Sequence, residues 1–106
     1  MSAFNVVRFR VKPGREEEFL EAHRRIREEP EGFRRGTVVQ TGEHAYCFIG
    51  EWDGFEDIAA ARTWMIGILD TFRDTLEDLG SGLGVTDPVS GTAVVDIVGT
   101  AERRVA

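Results

Sequence analysis

A chain of 106 residues, 42% hydrophobic and 30% charged, is long enough for one globular domain with a single core. Its net charge of −6 argues against nucleic acid and against anionic membrane surfaces as partners, both of which recruit basic faces. One cysteine, Cys47, excludes an internal disulfide, and no run resembles a signal peptide or a membrane span, so a cytoplasmic protein is expected.

Residues 4–11, FNVVRFRV, read as a strand with Asn5, Val7, Phe9 and Val11 on one face and Val6, Arg8 and Arg10 on the other. Pro13 and Gly14 break it. Arg15 to Glu28 then read as a helix, acidic at its start and basic near its end, which suits the macrodipole. Its inward stripe is Phe19, Ala22, His23 and Ile26, and Glu29-Pro30-Glu31-Gly32 stops it. Two strands follow, Thr37 to Gln40 and Ala45 to Trp52, joined by a hairpin loop at Thr41-Gly42-Glu43-His44. In the second, Tyr46, Phe48 and Trp52 share one face, Cys47 and Ile49 the other.

A long helical region is expected from Gly54 to Leu79. Phe55, Ile58, Arg62, Met65, Leu69, Phe72, Leu76 and Leu79 recur there at helical spacing, which lines one normally buried face. Arg62 is the one charge in that stripe. Burying a guanidinium without a partner costs about 3–5 kcal/mol. Its register therefore implies a bend that returns it to water, an anion or polar ligand in a cavity, or a carboxylate partner. Gly67 marks a kink or a break, and Gly80 a left-handed C-cap. A glycine-rich loop, GSGLGVTDPVSG, leads to a last strand at Thr92 to Val98, after which a short polar tail beyond Gly99 is expected to fray.

The order β-α-β-β-α-β is the ferredoxin-like split βαβ plan. It is an α+β fold with a four-stranded antiparallel sheet and the helices on one face. Val6, Val38 and Val94 are expected on the opposite face. A half-apolar open face is covered most simply by a second copy of the chain, so a homodimer is expected.

The segments FNVVRFRVKPGREEEFLEAHRRI, YCFIGEW and TWMIGILDTFRDTL together resemble the antibiotic-biosynthesis-monooxygenase-like proteins of the dimeric α+β barrel superfamily. The resemblance implies a planar aromatic or porphyrin ligand held between helices and sheet. It also implies oxygenation without a flavin or dedicated metal. The haem-degrading branch has an Asn on the first strand, a Trp in the helical region and a His beyond it. Asn5 and Trp64 match the first two positions, whereas Asp74 stands at the third and is a poor ligand for haem iron. The branch that forms quinones from polycyclic phenols does not require that histidine.

Two function classes follow. In an enzyme, a cofactor-independent monooxygenase or related isomerase, Asn5 would stabilise an oxyanion and His23 would serve as general base. Arg62 would hold an anionic oxygen, and Trp64 or Tyr46 would stack on the aromatic ligand. In a non-catalytic small-molecule-binding or stress-responsive barrel, the same residues only line a pocket. Each also has a plain structural role: a strand-edge asparagine, a core histidine bonded to a carbonyl, an ion-paired arginine, a seam tryptophan and a core tyrosine. Convergence of Asn5, His23 and Arg62 on one pocket would favour the enzyme. No residue is assigned to a cofactor or a metal. His23, His44 and Cys47 lack ligand spacing, and Gly80-Ser81-Gly82-Leu83-Gly84 follows a helix where a phosphate loop would precede one.

Overall fold

The computed structural model describes residues 1–99; the tail beyond Gly99, expected to fray, lies outside the described residues. The alternating opening segment forms β1 (Ala3–Arg10), which takes the middle of the sheet. It pairs antiparallel with β3 (Ala45–Trp52) on one side and with β4 (Asp87–Thr92) on the other, while β2 (Phe33–Gln40) pairs with β3. Helix α1 (Glu16–Arg24) connects β1 to β2, and α2 (Phe55–Ala60) and α3 (Arg62–Asp70) connect β3 to β4. The resulting order β2-β3-β1-β4 is the ferredoxin-like α+β arrangement.

Two apolar clusters pack on the helix-facing side, and β1 contributes to both. At one end Phe9 and Val11 meet Phe19 of α1, Tyr46 of β3, and Phe72 and Leu76. At the other, Ala3 joins Trp52, Ile58 and Ala61. Between those ends β1 presents Asn5 and Val7, and there the layers part to leave a cavity.

Helix α1 stops short of Glu28. After Arg24 the only half-buried side chain before Glu28 is Ile26, so continued winding would bury little apolar surface. The guanidinium of Arg27 instead folds back and donates to the freed carbonyl oxygen of Arg24 at 2.7 Å.

The expected long helix is two short ones and a turn. It breaks at Ala61, not at Gly67: Ala61 is wedged against Trp52 and Ile58 and leaves helical geometry with ψ near 3°. Gly67 sits inside α3 with open space around it. A 3-10 turn at Arg73–Thr75 follows, and Leu76 is extended. There the chain joins the end of β1, with the Glu77 amide donating to the Arg10 carbonyl and the Lys12 amide to the Thr75 carbonyl, both at 2.8 Å. Gly80 does take a left-handed φ of 83°, but in a turn outside any helix.

The last strand lies earlier than expected. Asp87–Thr92 pairs with β1, and Val94 and Ile97 stand out in solvent, the latter 92% exposed. Pro88 is compatible with β4 because an edge strand needs amide donors on one side only. Asp87 also pairs with Arg8 across the ladder at 3.3 Å.

On the face away from the helices, register places Thr37, Ile49, Val6 and Val89 in one row across all four strands. Phe4 and Cys47 flank that row. Val6 is where it was expected. Val38 is not: it lies opposite Phe48 and packs into the helix-side core. Among the described residues, no helix is long and apolar enough to cross a membrane.

Candidate functional site

The cavity between the two apolar clusters has a volume of about 580 Å³, a size that accommodates a small organic molecule. Its walls are mainly apolar. Val7 and Phe48 form the sheet side, Met65, Ile68 and Leu69 the α3 side, and Phe72 closes one end. Into this lining enter Asn5, His23, Arg62 and Trp64, four of the five side chains singled out from the sequence.

Asn5 is 4% exposed on the inner face of β1. Its side-chain oxygen accepts a 2.6 Å hydrogen bond from the indole N–H of Trp52. Its amide nitrogen lies 3.7 Å from the sulfur of Met65, a weak acceptor on the cavity wall. Gly50 stands directly opposite Asn5 in the ladder, and a Cβ there would collide with the Asn5 oxygen. The missing side chain lets Asn5 lean across β3 to reach Trp52.

His23 projects from α1 among Phe19, Phe72, Phe9 and Phe48; its nearest ring centroids are Phe72 at 4.5 Å and Phe19 at 4.6 Å. Burial lowers its pKa from the ordinary 6.5, against the smaller opposing effect of its hydrogen bond to Phe19. The imidazole is therefore neutral near pH 7. Because a carbonyl oxygen only accepts, Nδ1 carries the hydrogen and Nε2 keeps its lone pair. Nε2 has no hydrogen-bond partner among the described residues, where no fully buried polar side-chain atom lacks one, so it reaches accessible space.

Of the three outcomes that its register left open for Arg62, the structure takes the bend that returns it to water. The break at Ala61 makes it the first residue of α3, and it is exposed at the cavity rim. Among the described residues it forms no salt bridge, and its exposure leaves the guanidinium open to water. Trp64 is half-buried, 6.1 Å from the ring of Phe33, and borders both this cavity and a smaller hollow lined by Arg25, Arg27 and Gly67. Tyr46 takes no part in the lining. It is packed in the core with its ring 5.0 Å from that of Phe19. Asp74 also lies outside, on the surface, where its carboxylate is 3.5 Å from Arg15.

Cavity residues at and just before β4 escaped the sequence. Thr86, Pro88 and Ser90 line the cavity because β4 begins before the segment expected to form it. Trp52 was expected to share a face with Tyr46 and Phe48, but its bond to Asn5 depends on the β1–β3 register. Among the described residues, no three His, Cys, Asp or Glu side chains converge to hold a metal ion.

The family model described as antibiotic biosynthesis monooxygenase matches residues 2–65. Among solved structures, a conserved protein from Methanosarcina mazei Go1 is similar with a TM-score of 0.70 at 17% identity, over 87% of this chain and 92% of that one. A dimeric ferredoxin-like protein from an uncultured marine organism gives 0.69 at 13% identity, over 93% of each chain. A mutant of SnoaB, a cofactor-independent oxygenase from Streptomyces nogalater, gives 0.63 at 17% identity, over 91% of this chain and 96% of that one. At these identities the likeness is one of fold. No curated protein matches the sequence.

Proposed function

The chain belongs to the antibiotic biosynthesis monooxygenase family, and from that premise we propose that it is a cofactor-independent monooxygenase. Its substrate would be an aromatic or polyketide-like small molecule held between helices and sheet. One observation carries the proposal: Asn5, His23, Arg62 and Trp64, distant in sequence, open onto a single mainly apolar cavity. In this scheme the unprotonated Nε2 of His23 removes an acidic proton from a phenol-type substrate. The amide hydrogens of Asn5 stabilise the resulting oxyanion, Arg62 attracts an anionic substituent at the rim, and Trp64 flanks the ring. The electron-rich anion then reacts with dioxygen. A ring CH2 becomes a carbonyl, with one oxygen atom retained on carbon and the other leaving as water with both hydrogens.

The proposal includes a homodimer in a cytoplasmic setting. A second copy covering the row Thr37, Ile49, Val6 and Val89 would remove an open apolar face from water.

An anthrone incubated with the protein under heavy-isotope dioxygen tests the chemistry. Quinone should form faster than without protein, with one labelled oxygen incorporated, and His23→Gln should slow it about a hundredfold or more. Saturable binding with only the protein-free oxidation rate would reject the enzyme and leave the alternative, a small-molecule-binding barrel.

A further inference from the structure

We propose that Trp52 is the positioning residue of this site: its indole N–H orients the Asn5 amide so that the cavity meets NH2 and not C=O, selecting ligands that present an anionic aromatic oxygen there. An asparagine amide has two ends of opposite character, a donor and an acceptor. Left free on a strand, it turns to suit whatever ligand arrives. Here the choice is made before any ligand binds. The indole N–H only donates, so the atom 2.6 Å from it must be the amide oxygen. The nitrogen then falls beside Met65 on the cavity wall, where a thioether holds it weakly. A ligand oxygen displaces that contact at little cost.

Two features show that the arrangement is built in. Trp52 is completely buried in the cluster with Ala3, Ile58 and Ala61, so its ring has no freedom to follow the ligand. Gly50, opposite Asn5, supplies the gap through which the amide oxygen reaches the indole. Trp52 does not line the cavity and acts only through Asn5. The consequence is a ligand class. Hydroxylated planar aromatics bind preferentially as phenolates at Asn5, whereas a phenol that must donate a hydrogen there finds no acceptor.

This proposal rests on the cavity being the ligand site, though not on turnover. Its test uses alizarin, a planar dihydroxyanthraquinone whose colour reports phenol ionisation, with unsubstituted anthraquinone as control. Bound to the wild-type protein, alizarin should ionise at a pH about one unit below its free value, a tenfold change in ionisation constant. Trp52→Phe should abolish most of that shift while changing anthraquinone affinity less than about twofold. Asn5→Ala should abolish the alizarin shift as well, and the double variant should lose no more of that shift than either single one. Additive losses, or an alizarin shift untouched by Trp52→Phe, overturn the inference alone. Failure of the wild-type protein to bind either compound overturns the ligand-site proposal and this one with it. Should Trp52→Phe not fold, NMR of the wild-type protein decides instead. Magnetisation should pass from the Asn5 side-chain NH2 to bound alizarin, and its absence would show that the oxygen faces the ligand.

Discussion

The imidazole of His23 gives its Nδ1 hydrogen to the carbonyl oxygen of Phe19, 2.9 Å away and one helical turn back on α1. That bond sets the tautomer, while burial holds the folded-state pKa below its ordinary 6.5. The unfolded chain therefore takes up a proton at a higher pH than the folded one. Stability associated with neutral His23 is fully present above about pH 6.5 and is lost as pH falls through the lowered folded value. The folded pKa values of Glu16, Glu18 and Glu21 are lowered from 4.5, so their contributions fade only at more acid pH. Urea unfolding at about pH 7.5 and about pH 5.5 should show a loss that His23→Gln reduces. An unchanged slope in the variant would place the effect elsewhere.

Gly50 and Gly67 should respond oppositely to alanine. At Gly50 the new methyl group meets the Asn5 oxygen and comes within 3.0 Å of the Phe48 ring and of Trp52 Nε1. Overpacking there should cost about 1–3 kcal/mol. At Gly67, inside α3, nothing lies within 4 Å, and alanine should stabilise by about 0.5–1 kcal/mol. Chemical denaturation of the two variants compares them directly, and a neutral Gly50→Ala would mean that Asn5 has room to turn.

Arg62 is exposed at the rim, so Arg62→Met should leave stability within about 0.5 kcal/mol of the parent. Affinity for 2-naphthoate should fall by about 0.5–1 kcal/mol, while that for uncharged naphthalene should not. Fluorescence titration at low and high salt reads both. A stability loss of about 3 kcal/mol would instead identify a structural ion pair.

The row Thr37, Ile49, Val6 and Val89 should be buried between two copies. Sedimentation should report twice the 11.8 kDa chain mass, and Val6→Glu, placing a charge in the row, should shift the protein toward monomer. A monodisperse parent monomer at micromolar concentration would defeat the dimer.

Haem should not be degraded. Asp74, the residue where a histidine would be needed, is on the surface and paired with Arg15. Mixed with haem and a reductant in air, the protein should leave the porphyrin absorbance decaying at the protein-free rate. Accelerated ring opening would make His23 the iron-ligand candidate.

What could be seen in the sequence followed from periodicity. The alternation in β1 put Asn5, Val7 and Phe9 on the helix-facing side, and the α1 stripe put His23 inward, so two of the cavity's polar groups were legible. For Arg62 the sequence left three outcomes open, a bend to water among them, because a three-four spacing does not say where a helix breaks. The break comes from Ala61 wedging against Trp52, a contact between separate elements that no local pattern encodes. Gly67 was the more obvious breaker by propensity, yet tertiary context left it helical. The last strand was misplaced for a related reason. AVVDIV has the stronger β composition, but DPVSGT carries Asp87 to Arg8 and fits an edge that tolerates Pro88.

The break at Ala61 leaves the cavity's outer wall as one helix of six residues and one of nine, the second without a fully buried side chain. Helices this short are marginal alone and owe their persistence to packing. The inner wall, by contrast, is a ladder paired on both sides. Amide hydrogens of α3 should therefore exchange with solvent through local breathing, while those of β1 wait for global unfolding. A bulky guest can then be admitted by fraying one wall while the sheet stays intact. The rate of admission would be governed by how often α3 loosens, and a bound guest should slow exchange in α3 far more than in β1.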